Sequence, residues 1–293
     1  MLWTVLVKYD KLVLTKNVEK REGTAIAEEH LGLEWNAPIA LSAALRAPLT
    51  DLFSRISAIE QVNDTLMPLV RQQLEGVLCD AYHILRTAES LTLAEEYTLT
   101  EQNSAVFPLW GELFLCMESA RSLLGSVGRR LEYDFPSDEV SVHGDARALT
   151  TVLLHLVANA LTASAAEEAV TVRGQVLDRN AIITVADRGH GVPPEHQTAV
   201  FTPYFSMDAD GLPLQAPGLG LTAARRVLEA HGGSIRMVSS KGGTEVICSL
   251  PLLQEDIAPT LRAAAPLYLE DRFSPIYTVL CGFLPPPWPY RKD

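Results

Sequence analysis

Between residues 36 and 96 the apolar positions recur at alternating spacings of four and three. The first run is Leu45, Leu49, Leu52, Ile56 and Ile59. The second is Val70, Leu74, Val77, Ala81, Ile84, Ala88 and Leu91. That alternation predicts two helices, each with a heptad seam that needs another helix against it. Asn63-Asp64 is placed to cap the second helix, and Pro68 fits its first turn. A hairpin of two such helices has too little core to stand alone. Pairing with a second copy gives a four-helix bundle, so a homodimer is expected on physical grounds. The alternative is that the hairpin packs on a second domain of its own chain.

From residue 105 to 252 the pattern changes to helices and strands in mixture. A helix is expected over Phe107 to Gly125 and a strand over Leu131 to Phe135. Asp145 is placed to cap a helix through Ser164. Strands follow at Val170 to Val176 and Ala181 to Ala186. A helix starts after Gly218 and ends near His231. Strands Ser234 to Ser239 and Thr244 to Leu250 complete the set, with Lys241-Gly242-Gly243 as the turn between them. A mostly antiparallel sheet with helices on one face is an α+β layer fold. The expected organisation is a β-hairpin-like extension over 1–34, the helical hairpin over 35–97, the α/β sandwich over 105–252 and an extension over 253–293. In the first, Trp3 to Val7 and Lys11 to Leu14 form the strands, with a turn near Tyr9-Asp10. The last ends in Leu284-Pro-Pro-Pro-Trp-Pro-Tyr290, which is suited to polyproline II. It either docks in an aromatic-lined groove or lies on its own domain.

Apolar residues make up 47% of the 293, which suits a globular protein. The net charge of −12 disfavours nucleic acid or an anionic membrane as main partner. It does not disfavour a nucleotide, whose phosphates are held locally. Cys79, Cys116, Cys248 and Cys281 are scattered, without a C-x-x-C pair, and read as buried thiols in a reducing cytoplasm. The apolar start, Met1 to Val7, ends at Lys8, and no run is expected to reach the roughly 18 apolar residues of a membrane helix. A soluble, cytoplasmic protein is expected.

Four short motifs lie between His155 and Gly233. They are H-L-V-A-N-A-L-T-A-S from His155 to Ser164, D-R-G-H-G from Asp187 to Gly191, F-T-P-Y-F-S from Phe201 to Ser206, and G-L-G-L from Gly218 to Leu221, followed by H-G-G at His231. In this order they resemble the N, G1, F and G2 boxes of the GHKL (Bergerat-type) ATPases. The likeness is strongest to the ATP-binding domain of bacterial sensor histidine kinases. It implies ATP and Mg²⁺ as ligands. Asn159 matches the metal-binding asparagine, and an amide oxygen suits a Mg²⁺ that also borrows phosphate oxygens. Asp187 matches the adenine-binding carboxylate, which accepts from an exocyclic amine that guanine lacks. Gly189 and Gly191 let the backbone turn close to the base. Gly218, Leu219, Gly220 and Leu221 start a helix whose free amides attract phosphate. Thr244 resembles the family's G-T turn near adenine. His155 matches the position of Glu, Gln or His in the kinases and is the catalytic candidate, to orient a water or the γ-phosphate; the alternative is a structural histidine. Phe201 and Phe205 are expected to pack at the root of a lid over Met207 to Pro217.

Some positions depart from the family. Thr162 stands where many members have lysine after the N-box asparagine, Met207 and Asp208 replace a lysine after the F box, and Ala216 replaces a glycine. The segment A-A-L-R-A-P-L from Ala43 to Leu49 resembles the H box of the phosphotransfer hairpin, H-E-L-R-T-P-L. Ala43 falls at the phosphoacceptor histidine, Ala44 at the acidic residue and Ala47 at the phosphatase Thr or Asn. A methyl group cannot attack phosphorus. His83 lies off the seam and is expected to face solvent, a candidate substitute acceptor or an ordinary surface histidine.

The resemblance therefore implies an ATP-binding protein of the two-component histidine-kinase type without its own acceptor. It would phosphorylate a partner in trans or act as an ATP-responsive pseudokinase. A second reading is a regulatory binding module that docks a response regulator or a partner kinase without transfer. An ATPase of the gyrase or MutL type is disfavoured by His155 and by the hairpin upstream.

Overall fold

The computed structural model describes residues 49–50, 52, 55–56, 59, 68–95, 97–100, 103–205, 218–253, 269, 271 and 273–285. The chain divides into two units, Met1–Ala37 and Pro38–Asp293. The N-terminal hairpin, the Ala43–Ala47 positions, the Asn63-Asp64 cap, the lid and the Pro-rich end lie outside the described residues.

The second helix of the hairpin is α1, Pro68–Glu95. Residues 49, 50, 52, 55, 56 and 59 before it are also helical. After α1 come β1 (Ala105–Pro108), α2 (Leu109–Ser126), β2 (Arg130–Asp134), β3 (Ser141–Gly144) and α3 (Ala146–Ala163). The rest are β4 (Ala169–Leu177), β5 (Asn180–Ala186), α4 (Gly220–Ala230), β6 (Ser234–Ser240), β7 (Gly243–Pro251) and α5 (Pro275–Val279). Five strands form one sheet in the order β2-β4-β5-β7-β6. β2 and β4 run parallel, and the other neighbours are antiparallel. Strand alternation turns Val170, Val172, Ile183, Val185, Val246, Cys248 and Leu250 inward, where helices cover them. The expected α+β sandwich is the observed one.

Helix α3 is the central element. Its N-cap is Asp145, whose side chain accepts from the Ala148 amide at 3.0 Å. Among its residues only Arg147, Asn159 and Thr162 are exposed. It is the one described helix long and apolar enough to cross a membrane, by length and composition alone, which corrects the expectation that no segment qualifies. Most of that length is buried inside the fold, as a core helix requires.

Two sequence expectations shift. The helix placed from Phe107 starts at Leu109, because Ala105–Pro108 is extended and pairs with Ser141–Gly144. Phe107 precedes a proline, which pushes it out of the helical region. The α2 start is then satisfied from a distance: Glu139 accepts from the Trp110 and Gly111 amides, both at 2.8 Å. Second, the C-terminal extension contains α5, whose Ile276, Val279 and Leu280 enter the main core while Tyr277 and Cys281 pack with Leu78, Ala81, Tyr82 and Leu85 of α1. All four cysteines are free thiols, Cys79 half-buried and the other three buried.

The hairpin does pack on its own chain. Leu91 and Ala94 of α1 meet Leu219 and Ala223 of α4. The heptad seam is split by this docking. Ala81, Ala88 and Leu91 are buried, whereas Val70, Val77 and Ile84 remain exposed.

Candidate nucleotide site

Asn159 stands out on α3 between buried Ala158 and Ala160. An exposed amide on a helix that is otherwise core has no packing reason to be there, and its oxygen is available to a cation. One turn on, Thr162 is also exposed, but its hydroxyl donates back to the Ala158 carbonyl at 2.8 Å. This face therefore offers a neutral amide and no cation of its own.

Asp187 follows the end of β5, and its backbone amide donates to Thr244 at 2.9 Å. Its Oδ1 accepts from the Gly189 amide at 2.8 Å and the Thr244 amide at 3.1 Å. Oδ2 is left to accept from a ligand. Burial raises the carboxyl above its ordinary range, and the two amide bonds pull the other way. Thr244 is buried, with its hydroxyl on Ser239 Oγ at 2.8 Å. Thr244 thus holds the carboxylate through its amide, and its side chain is already engaged. Ser239, which carried no sequence signal, also accepts from the Val192 amide at 2.7 Å and so fixes the loop after Asp187.

The glycines join the boxes in pairs. A Cβ on Gly189 would stand 2.2 Å from the Ala163 carbonyl oxygen, at the end of α3. One on Gly243 would stand 2.1 Å from the Asp187 carbonyl oxygen. Gly191 (φ +73°) and Gly218 (φ +65°) use backbone that favours glycine, against Ser240 and Phe205 respectively. Gly220 differs. A Cβ there would meet only His155, the nearest atom being Nδ1 at 3.5 Å. Among the described residues no atom forbids a side chain at Gly220, so its bareness leaves room for something else.

Helix α4 begins at this point. Its first bond is Ala223 N–H to Leu219 at 2.8 Å, so the amides of Gly220, Leu221 and Thr222 have no partner within the helix. Leu219 is buried against α1, and Leu221 packs on the main core. These two leucines anchor the turn, and only their backbone faces a ligand. The arrangement suits phosphate, which free amides and the helix dipole attract.

His155 is only 1% exposed. Its Nε2 lies 3.4 Å from Ser90 Oγ of α1, and Nδ1 has no hydrogen-bond partner among the described residues. Burial, with Arg86 nearby, lowers its pKa to about 3, so the ring is neutral at physiological pH. It sits behind the Gly220 turn and not in an open cleft. His231, by contrast, is a structural clasp. Its Nδ1–H donates to the Val227 carbonyl at 2.7 Å and its Nε2 accepts from the Asp145 amide at 2.9 Å, tying the end of α4 to the start of α3. His83 is not solvent-facing as expected: it is half-buried, with Nδ1 3.6 Å from Cys281 Sγ. The C-terminal extension, invisible as structure in the sequence, covers it. Phe201 and Phe205 are half-buried packing residues as expected, and Tyr204 between them donates to Glu95 of α1 at 3.2 Å.

These elements fit a Mg·ATP complex on three observations: the exposed Asn159 amide, the open oxygen of Asp187, and the bare Gly220 beside unpaired helix amides. Among the described residues Asn159 is the one whose side-chain oxygen would hold Mg²⁺ here, an ion that ordinarily keeps waters and takes phosphate oxygens for the rest.

Comparison with known proteins agrees with this geometry. Residues 144–254 match the family described as histidine kinase-, DNA gyrase B-, and HSP90-like ATPase. The sensor histidine kinase ZraS of Salmonella typhi is 38% identical over 118 residues, 39% of this chain and 24% of that protein. The sensor histidine kinase CpxA of Escherichia coli (strain K12) is 28% identical over 220 residues, 72% of this chain and 46% of that protein. Full-length ShkA, solved in complex with AMPPNP, shares the fold with a TM-score of 0.53 at 20% identity, covering 73% of this chain and 46% of that one. The chain thus spans about a quarter to a half of the length of these relatives. Residues 144–254 thus carry both the fold and the sequence match of this ATPase family, and sensor histidine kinases are among the proteins similar to this chain.

Proposed function

We propose that this chain binds Mg·ATP and works as a histidine-kinase-like signalling protein that cannot phosphorylate itself at the usual position. The observation that carries the nucleotide reading is the pairing of Asp187 Oδ2, left open by two amides on Oδ1, with the turn at Gly218–Gly220, where Gly220 is bare and the Leu219 side chain is buried against α1. Asp187 selects adenine, Asn159 holds the metal, and the first-turn amides of α4 hold the phosphates. Bound Mg²⁺ would offset phosphate charge, which this site needs because Thr162 is no cation. Ala43 replaces the nucleophile, so phosphate leaving ATP must go to a histidine on a partner chain. A response regulator or partner kinase, and a second copy of the chain through the exposed α1 stripe, are the protein partners this reading calls for.

The test is incubation with γ-labelled Mg·ATP, alone and with a response-regulator-rich lysate, followed by acid and base treatment. Acid-labile, base-stable label on a partner supports trans phosphorylation. Label on His83 of this chain contradicts the reading, and ATP binding without label on any protein favours a pseudokinase.

A further inference from the structure

We propose that Ser90, on the helical hairpin, is a positioning residue of the nucleotide site: it sets the tautomer of His155 so that Nδ1–H faces the phosphate end of the ligand. Ser90 is buried, and among the described residues its hydroxyl is the hydrogen-bonding group at His155 Nε2, 3.4 Å away. A neutral imidazole carries one N–H and one lone pair. When the Ser90 O–H donates to Nε2, the ring proton must sit on Nδ1. That atom is the one nearest to where a Gly220 Cβ would stand, at 3.5 Å, and it has no partner among the described residues. A buried donor left unpaired costs about 1–3 kcal/mol, so a site of this kind is normally completed by a ligand or water.

The bare face of Gly220 leads to the unpaired first-turn amides of α4. An anionic oxygen drawn to those amides lies on the side of the ring where Nδ1 is. A lone pair there would repel it, and an N–H would hold it, so the anion and the Ser90 hydroxyl favour the same tautomer. Arg86, one turn before Ser90 on α1, lies close enough to disfavour a second proton on His155. The hairpin thereby contributes to a site whose other parts all come from the ATPase domain.

This inference rests on the nucleotide reading above. It is tested by calorimetric binding of Mg·ATP and of AMP to the full chain, to Ser90→Ala and to Ser90→Thr. AMP shares the base contacts and lacks the β- and γ-phosphates. Ser90→Ala is expected to weaken ATP by about three- to tenfold, the worth of one hydrogen bond, and to leave AMP within about twofold. Ser90→Thr keeps the hydroxyl and is expected to restore ATP. ¹⁵N spectra of the ring should show the proton on Nδ1 in the ATP-bound wild type and a mixture in Ser90→Ala. ATP binding with an unchanged ATP-to-AMP ratio, or the same tautomer in both proteins, overturns the role of Ser90 alone. A wild-type chain that binds no ATP overturns the nucleotide reading and this inference with it.

Discussion

Two buried histidines, His155 at the candidate site and His231 in the clasp between α4 and α3, respond to pH with the same sign and mainly for the same reason. His155 has its folded pKa lowered to about 3 by burial, against an unfolded value of ~6.5. The unfolded chain therefore takes up a proton first, and the stability conferred by burying the neutral ring is lost as pH falls from ~6.5 toward 3. His231 is shifted down as well, again mainly by burial, and adds to the same loss. Thermal melts at pH 7 and pH 5 should show a lower Tm at pH 5. In His155→Asn that drop should shrink, and an unchanged drop would exclude His155 as its source. Asp187 is shifted upward, so its ionisation costs stability in the folded state as pH rises through that shifted value.

Among the elements, α3, β4, β5, α4, β6 and β7 were legible in the sequence because each is written locally. Their apolar periods are clean, Asp145 caps its own helix, and Lys241-Gly242 turns between two alternating strands. What the sequence hid depends on distant partners. The β1–β3 pair forms across residues far apart in the chain, and the α2 start is capped by Glu139. Helix α5 is only five residues long and is held by what it inserts between. The N, G1 and G2 boxes named the candidate site residues, whereas Ser90, Ser239 and Tyr204 come near them through contacts with no spacing signature. The seam on α1 shows both outcomes at once. Its inward half packs on the ATPase domain, and Val70, Val77 and Ile84 stay exposed at 40%, 44% and 49%. A heptad-spaced apolar stripe of this kind suits a second copy of the same helix. Ile84→Glu should therefore lower the mass seen by light scattering from dimer to monomer without lowering Tm. A wild-type chain that is already monomeric at micromolar concentration would contradict that pairing.

At the scale of the whole molecule, α1 is the helix of the hairpin that touches the candidate nucleotide site. One face carries Ser90 to His155, Leu91 and Ala94 to the phosphate turn, and Glu95 to Tyr204 of the F box. The opposite stripe is free for a partner helix. A change in α1 packing therefore reaches three of the boxes directly, with no relay through the sheet. The proposed function rests on the nucleotide cradle that Asn159, Asp187 and the Gly218–Leu221 turn would form. Everything else in the account depends on that cradle, so the most direct test is titration calorimetry of Mg·ATP into the full chain and into Asp187→Asn. The account predicts saturable binding by the wild type and at least about tenfold weaker binding by Asp187→Asn, from loss of a charge-assisted bond to the base. It also predicts that Asp187→Asn melts no lower, because the carboxylate is not what stabilises the fold. Equal affinity in the two proteins, or no binding by either folded protein, would contradict it.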